Sequence, residues 1–134
     1  MNELRLQRKL IEKAKAEGGF AMKMSHKFMI GVPDLIIQLP HHPTAFVEVK
    51  ILKYKNWPEQ VRLKMTAQQR KFLKRLQKAG GLAGWIVGIE HLAGLSYCAG
   101  NNTAVDIFDP DKRLLQDGWT WSEVIRALEY KTND

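Results

Sequence analysis

Gly31-Val32-Pro33-Asp34-Leu35-Ile36-Ile37-Gln38-Leu39, a Pro40-His41-His42-Pro43 turn, and then Thr44-Ala45-Phe46-Val47-Glu48-Val49-Lys50-Ile51-Leu52 decide how this chain folds. Both runs are apolar and β-branched, and the prolines punctuate them, so the pair reads as a hairpin. Alternate strand residues share a face. Val47, Val49 and Ile51 therefore point one way, and Glu48 and Lys50 point the other way, side by side. In a hairpin closed at 40–43 the cross-strand numbers sum to about 83, which brings Asp34 nearly opposite Val49, within a residue of Glu48 and Lys50. A surface ion pair on a half-exposed strand accounts for Glu48 and Lys50 alone. It does not account for Asp34 opening an apolar strand beside them. Two carboxylates that close repel unless a cation sits between them. A hard Mg²⁺ takes few protein oxygens and keeps its waters, one of which can become a nucleophile.

Working outward, residues 2–17 read as an amphipathic helix ended by Gly18-Gly19, and residues 20–24 as a short strand. Residues 53–65 are polar, basic and contain Pro58, so they read as a loop. Thr66 is the expected N-cap of a helix to Ala79, closed by Gly80-Gly81. Trp85 to Ile89 reads as a buried strand, and Leu95–Cys98 with Ala104–Phe108 as a hairpin around Gly100-Asn101-Asn102. A last helix begins with the capping box Thr120-Trp121-Ser122-Glu123 and runs to about Tyr130. The expected fold is α/β, a sandwich with a mixed central sheet flanked by helices, in a single domain over residues 1–134.

Composition narrows the function. Of the 134 residues 45% are apolar and 26% charged, ordinary for a soluble globular chain. No apolar run approaches the roughly 18 residues a membrane span needs, so no membrane partner is expected. The start of the chain has no apolar segment of the kind a secretion signal carries, and the single Cys98 excludes an internal disulfide or a multi-cysteine zinc site. An intracellular setting follows, the cytoplasm or a host cytoplasm for a viral source. Lys and Arg number 21 against 14 acids, a net +7 that suits a polyanion such as DNA better than a small-molecule substrate.

Two helices point polar side chains inward. On the first, Leu6, Leu10 and Ala14 mark the buried arc. Glu3 and Gln7 fall within it, whereas Glu12 falls on the solvent side. Fraying at a helix start is one explanation for Glu3, since a carboxylate there also suits the dipole. The other is that Glu3 reaches the carboxylates as a further metal or water ligand. On the helix from Thr66, Gln69 sits among Phe72, Leu73, Leu76 and Ala79, opposite a basic arc of Arg70, Lys71, Lys74, Arg75 and Lys78. A glutamine on an apolar stripe needs hydrogen-bond partners, which a structural role or an active site can supply.

Pro33-Asp34 and, after a gap of thirteen residues, Glu48-Val49-Lys50 resemble the signature of the PD-(D/E)XK nuclease superfamily. Over roughly Glu3 to Ile89 the chain is similar to the archaeal-type Holliday-junction resolvases and the VRR-NUC nucleases. The matching features are Glu3 with Leu6 and Leu10, the Gly18-Gly19-Phe20 exit, Ser25, Gly31-Val32-Pro33-Asp34-Leu35, Glu48-Val49-Lys50, Thr66-Ala67-Gln68-Gln69 and the strand Trp85 to Ile89. The first helix is longer than in the resolvases by about a turn, and residues 90–134 match neither group.

The resemblance implies a restriction-endonuclease-like three-layer sandwich and Mg²⁺-dependent phosphodiester hydrolysis leaving a 5′-phosphate, with Mn²⁺ able to substitute. It implies metal held by Asp34, Glu48, the Val49 carbonyl and Glu3, with Lys50 positioning the attacking water and Gln69 beside them. Backbone contacts fall to Ser25, Lys53, Lys55, Arg62, Lys64, Arg70, Lys71 and Lys74. The implied partners are branched DNA and a second copy in a two-fold dimer. A VRR-NUC-like nicking nuclease without junction preference is the alternative, and a non-catalytic DNA-binding module fits less well with the acids intact.

Other residues are expected to be bystanders. His26 lies in a loop, His41-His42 in the turn far from Asp34, and Cys98 lacks a base to activate it. Trp57, among basic residues, is placed either to stack on a base or to pack. Trp119 and Trp121, beside Val124, Ile125 and Leu128, are expected to serve the core or a subunit interface, with some of this segment and part of the sheet covering the two-fold axis.

Overall fold

The structure, a computed structural model, describes residues 1–24, 30–103 and 107–129. Helix α1 (Glu3–Ala16) starts where Asn2 Oδ1 accepts the Arg5 N–H at 2.9 Å, and it buries Leu6, Gln7, Leu10 and Ala14. Strands β1 (Phe20–Lys23), β2 (Leu35–Gln38) and β3 (Ala45–Lys53) form an antiparallel meander. Strand β4 (Val61–Arg62) and helix α2 (Ala67–Lys78) lead into β5 (Leu82–His91), which returns parallel to β3 with Glu48 level with Trp85. Strand β6 (Gly94–Gly100) folds back on β5, followed by β7 (Ile107–Phe108), the short α3 (Pro110–Arg113) and α4 (Trp121–Glu129). The main sheet runs β1-β2-β3-β5-β6, and β4 pairs with β7 as a separate ribbon.

This is the expected α/β sandwich, in three layers. Ala45, Val47 and Val49 pack with Leu6, Leu10, Ile86, Trp121 and Val124 in one core, so α1 and α4 cover that face. Trp85, Val87 and Ile89 pack with Leu73, Val61 and Leu63, and Phe46 and Leu52 join them beneath α2. The second face is the one that carries Glu48 and Lys50, because both are even-numbered on β3.

Three expectations need correction. The hairpin in the C-terminal half joins β5 to β6, not β6 to β7. Its turn falls at Leu92-Ala93, and Gly94 takes a positive φ of 121° that side chains rarely adopt. Gly100-Asn101-Asn102 is an exit from the sheet: Gly100 leaves room for the Trp85 ring, and the Asn101 and Asn102 carbonyls accept from Gln77 Nε2 and Trp85 Nε1. Residues 53–65 are not all loop. Val61, Leu63 and Met65 are buried while Arg62 and Lys64 between them are exposed, a strand alternation that the basic composition hid.

The third correction concerns α4 and the turn before it. Trp119, Trp121, Val124, Ile125 and Leu128 lie inside this chain's own core and cannot cover a two-fold axis. Two ties hold the segment there: Trp121 Nε1 donates to the Leu10 carbonyl at 3.3 Å, and Glu17 Oε1 accepts the Trp121 N–H at 2.8 Å. Replacing Trp121 with Ala should therefore cost about 3–5 kcal/mol of unfolding free energy, the usual loss for emptying a core aromatic site. Urea unfolding measures it. A variant with wild-type stability but altered mass would restore the interface reading.

Candidate active site

The β2–β3 ladder stops at Leu35 opposite Val47. Asp34, one residue earlier, is therefore level with Glu48, and its Oδ2 accepts the Val49 N–H at 2.8 Å. The sequence put Asp34 opposite Val49; the register is one residue different and the contact is with Val49 all the same. Gly31 makes this approach possible. Its φ is +84°, and a Cβ there would lie 2.5 Å from the Gln68 carbonyl oxygen. The segment leading to Asp34 thus rests directly on the first turn of α2.

Glu48 is 2% exposed, the deepest carboxylate described. Gln69 Nε2 donates to its Oε1 at 3.2 Å, while its Oε2 is buried without a hydrogen-bond partner. Burial pushes the Glu48 carboxyl up to about 9, helped by the hydrogen bond and the charge of Asp34 and, least, by the charge of Glu3. Lys50, half-buried on the same face of β3, acts in the opposite direction. Burial and the neighbouring acid thus favour the protonated form of Glu48, as expected where two carboxyl groups crowd together with no cation between them.

Glu3 is close enough to raise Glu48, and half-buried as the helical arc requires, so it belongs to the same electrostatic group. Gln7 is buried with Oε1 unpartnered. Glu12 is exposed and pairs with Lys15 at 3.4 Å. Asp34, Glu48, Val49, Lys50 and Gln69 meet at one place. Among the described residues no group of three or more His, Cys, Asp or Glu side chains is close enough together to hold a metal.

The basic residues are more scattered. Lys55, Arg62, Lys64, Lys71 and Lys74 are exposed. Lys53 lies 3.8 Å from Glu90, and Arg70 is half-buried with a partner of its own. Ser25 and His26 lie outside the described residues. Trp57 packs: its Nε1 donates to Asp111 at 2.8 Å and its ring meets His91 edge-on. His42 is more than surface, since its Nε2 lies 3.2 Å from Ser122 Oγ and ties the turn to α4. Cys98 is buried, its thiol pushed up to about 12 by burial and then by Asp111, which leaves no nucleophile there.

Among solved structures the chain matches Hjc, a Holliday junction resolvase from the archaeal hyperthermophile Archaeoglobus fulgidus. The match has a TM-score of 0.55 over 92% of this chain and 95% of that one, at 16% identity. The chain shares the α/β fold of that protein. A VRR_NUC domain also matches, at 32% identity over 63% of this chain and 82% of that one, with a TM-score of 0.49. The fold assignment rests on the resolvase, whose match extends through the C-terminal half. No protein-family model and no curated protein matches the sequence. No helix among the described residues is long and apolar enough to cross a membrane.

One residue that sequence reasoning undervalued is Thr66. It was recognised as an N-cap, but the Gln69 side chain also closes back on the Thr66 N–H at 2.9 Å, making a full capping box. The Thr-x-x-Gln spacing was the available signal.

The proton on Glu48 has a thermodynamic consequence. Its folded value, about 9, lies above the ordinary 4.5, so the metal-free native chain holds a proton that the unfolded chain has released. Stability should then fall as pH rises through that window, by up to about 1.4 kcal/mol per unit. Thermal melts in chelator between pH 5 and 9 should show the decline, and Glu48→Gln should flatten it. An equally steep decline in Glu48→Gln would remove Glu48 as its source.

Proposed function

We propose that this chain is a divalent-metal-dependent DNA endonuclease acting on branched DNA, with Asp34, Glu48 and Lys50 at its centre. The observation that carries the reading is the Asp34–Glu48 contact beside Lys50, with the buried Glu48 Oε2 unpartnered. A surface ion pair has no reason to bury a carboxylate this deeply. A hard divalent cation fits these residues: every donor is an oxygen, and two acids leave most coordination positions to water, as Mg²⁺ prefers. Mn²⁺ suits the same donors. Asp34 and Glu48 would hold the ion, with the Val49 carbonyl and Glu3 as further oxygens. When bound, the ion supplies easier ionisation of water and compensation of phosphate charge.

The remaining work falls to protein groups. The Val49 N–H fixes the rotamer of Asp34, and Gln69 orients Glu48. Lys50 Nζ holds the attacking water and favours its ionised form. Attack at phosphorus breaks the bond to O3′, leaving a 5′-phosphate and a 3′-hydroxyl. Lys55, Arg62, Lys64, Lys71 and Lys74, all exposed, would contact phosphates, which serves shape recognition better than base reading. Lys53, Arg70 and Ser25 complete the proposed contact set. The resolvase-like fold favours a two-fold dimer cutting opposed strands. With α4 committed to the core, Phe20 and Met22 on the β1 edge, 52% and 56% exposed, are the better candidates for its interface.

Asp34→Asn and Glu48→Gln should each abolish Mg²⁺-dependent cleavage of a synthetic four-way junction while DNA binding is kept or tightened. Wild-type cutting in either variant would end the assignment. Glu3→Gln should slow cleavage by roughly a hundredfold, the order that a single catalytic group contributes, whereas Glu12→Gln should change little. Reversing Lys71 and Lys74 to Glu should weaken binding to every sequence and lower the salt slope by about two. Light scattering at micromolar protein distinguishes the alternatives: a monomer that only nicks a cruciform plasmid favours a nuclease without junction preference.

A further inference from the structure

The first turn of α2 controls how one carboxylate is presented. Gln69 N–H donates to Thr66 Oγ1 at 3.1 Å, and Thr66 N–H donates to Gln69 Oε1 at 2.9 Å. A carboxamide has one acceptor atom and one donor atom. With its oxygen engaged by Thr66, Gln69 can turn only its nitrogen toward Glu48, and Nε2 donates to Glu48 Oε1 at 3.2 Å. The flipped amide would set N–H against N–H at Thr66 and oxygen against oxygen at Glu48. One oxygen of Glu48 therefore accepts from Gln69, and Oε2 is the oxygen that no donor reaches. The turn cannot drift away from the site, because the Gly31 backbone is in contact with Gln68 on its other side.

We propose that Thr66, acting through Gln69, fixes the rotation of Glu48 so that it presents Oε2 first, and thereby makes the site favour Mg²⁺ over Ca²⁺. The inference rests on the reading that Asp34 and Glu48 hold a divalent cation. Mg²⁺ demands near-octahedral geometry with single-oxygen donors, whereas the larger Ca²⁺ takes six to eight oxygens and readily accepts both oxygens of a carboxylate. The hydrogen bond takes one lone pair of Oε1 and fixes the rotation of the carboxylate, which weakens the two-oxygen mode that Ca²⁺ would use. Thr66 is a positioning residue in this scheme, since it touches neither ion nor substrate.

Thr66 has φ −70°, a value proline adopts, so Thr66→Pro removes the N–H with little change of backbone. Thr66→Val loses the hydroxyl and keeps the N–H, and so reports the cap alone. Gln69→Met removes the donor to Glu48 directly. Calorimetric titration of the metal-free variants with MgCl₂ and with CaCl₂, without DNA, gives the two affinities, and circular dichroism follows the helix. In Thr66→Pro and Gln69→Met, Mg²⁺ should bind about tenfold more weakly and the Mg²⁺-to-Ca²⁺ ratio should fall by at least about threefold, as expected for losing one hydrogen bond to a charged group. Thr66→Val should keep the wild-type ratio.

An unchanged ratio in Gln69→Met overturns the proposal, and so does a fall in Thr66→Val as large as in Thr66→Pro. Should Thr66→Pro lose its helix, Gln69→Met decides. Asp34→Asn keeps the two failures apart. Wild-type protein that binds ions, together with Asp34→Asn that does not, upholds the cation site whatever Thr66 does. Equal binding in wild type and Asp34→Asn, or none in either, removes the cation site and this inference with it.

Discussion

A backbone donor that goes to a side chain is the point on which the site depends. The paired stretch of β2 and β3 ends at Leu35 and Val47, and the next donor in reach, the Val49 N–H, goes to Asp34 Oδ2. One hydrogen bond thus both finishes the sheet edge and sets the position of a carboxylate. A buried N–H must be satisfied by something, so this geometry is as firmly specified as the strand pairing itself. Removing Asp34 leaves a backbone donor unpaired as well as a charge missing.

Around that bond the molecule tolerates a strained charge arrangement. Glu48 is buried against a like-charged neighbour, and both burial and that neighbour oppose its ionisation. Such a cluster opposes folding unless a proton or a cation offsets it. The supporting framework is apolar on both faces of the sheet: Val47 and Val49 lie against α1 and α4, while Phe46 and Leu52 flank the acids beneath α2. Packed walls on two sides keep the carboxyl groups from swinging apart.

Legibility in the sequence followed locality. The hairpin, both long helices, the inward Glu3 and Gln7, and the shared face of Glu48 and Lys50 depend on periods of 3.6 and 2 within one element. Those survived in the structure. The errors involve partners distant along the chain. Strand β4 pairs with β7 across more than forty residues, and its two-residue length gives almost no alternation to read. Trp119 and Trp121 looked like surplus apolar area because nothing local shows that α1 offers the Leu10 carbonyl and Glu17 to receive them. Whether Trp57 packs or stacks on a base stayed open because its anchor, Asp111, is likewise far along the chain.

By itself the sequence determined the α/β class, the hairpin that brings Asp34 to Glu48, and the chemistry of two acids and a lysine, since each is set by side-chain identity and by geometry within a few residues. Only the tertiary structure decided the depth at which Glu48 is buried, which atom of Gln69 it meets, and whether α4 faces the core or a partner. Those depend on how separate elements pack, and packing answers to volume, burial and hydrogen-bond satisfaction summed over the whole molecule. No local pattern carries that sum.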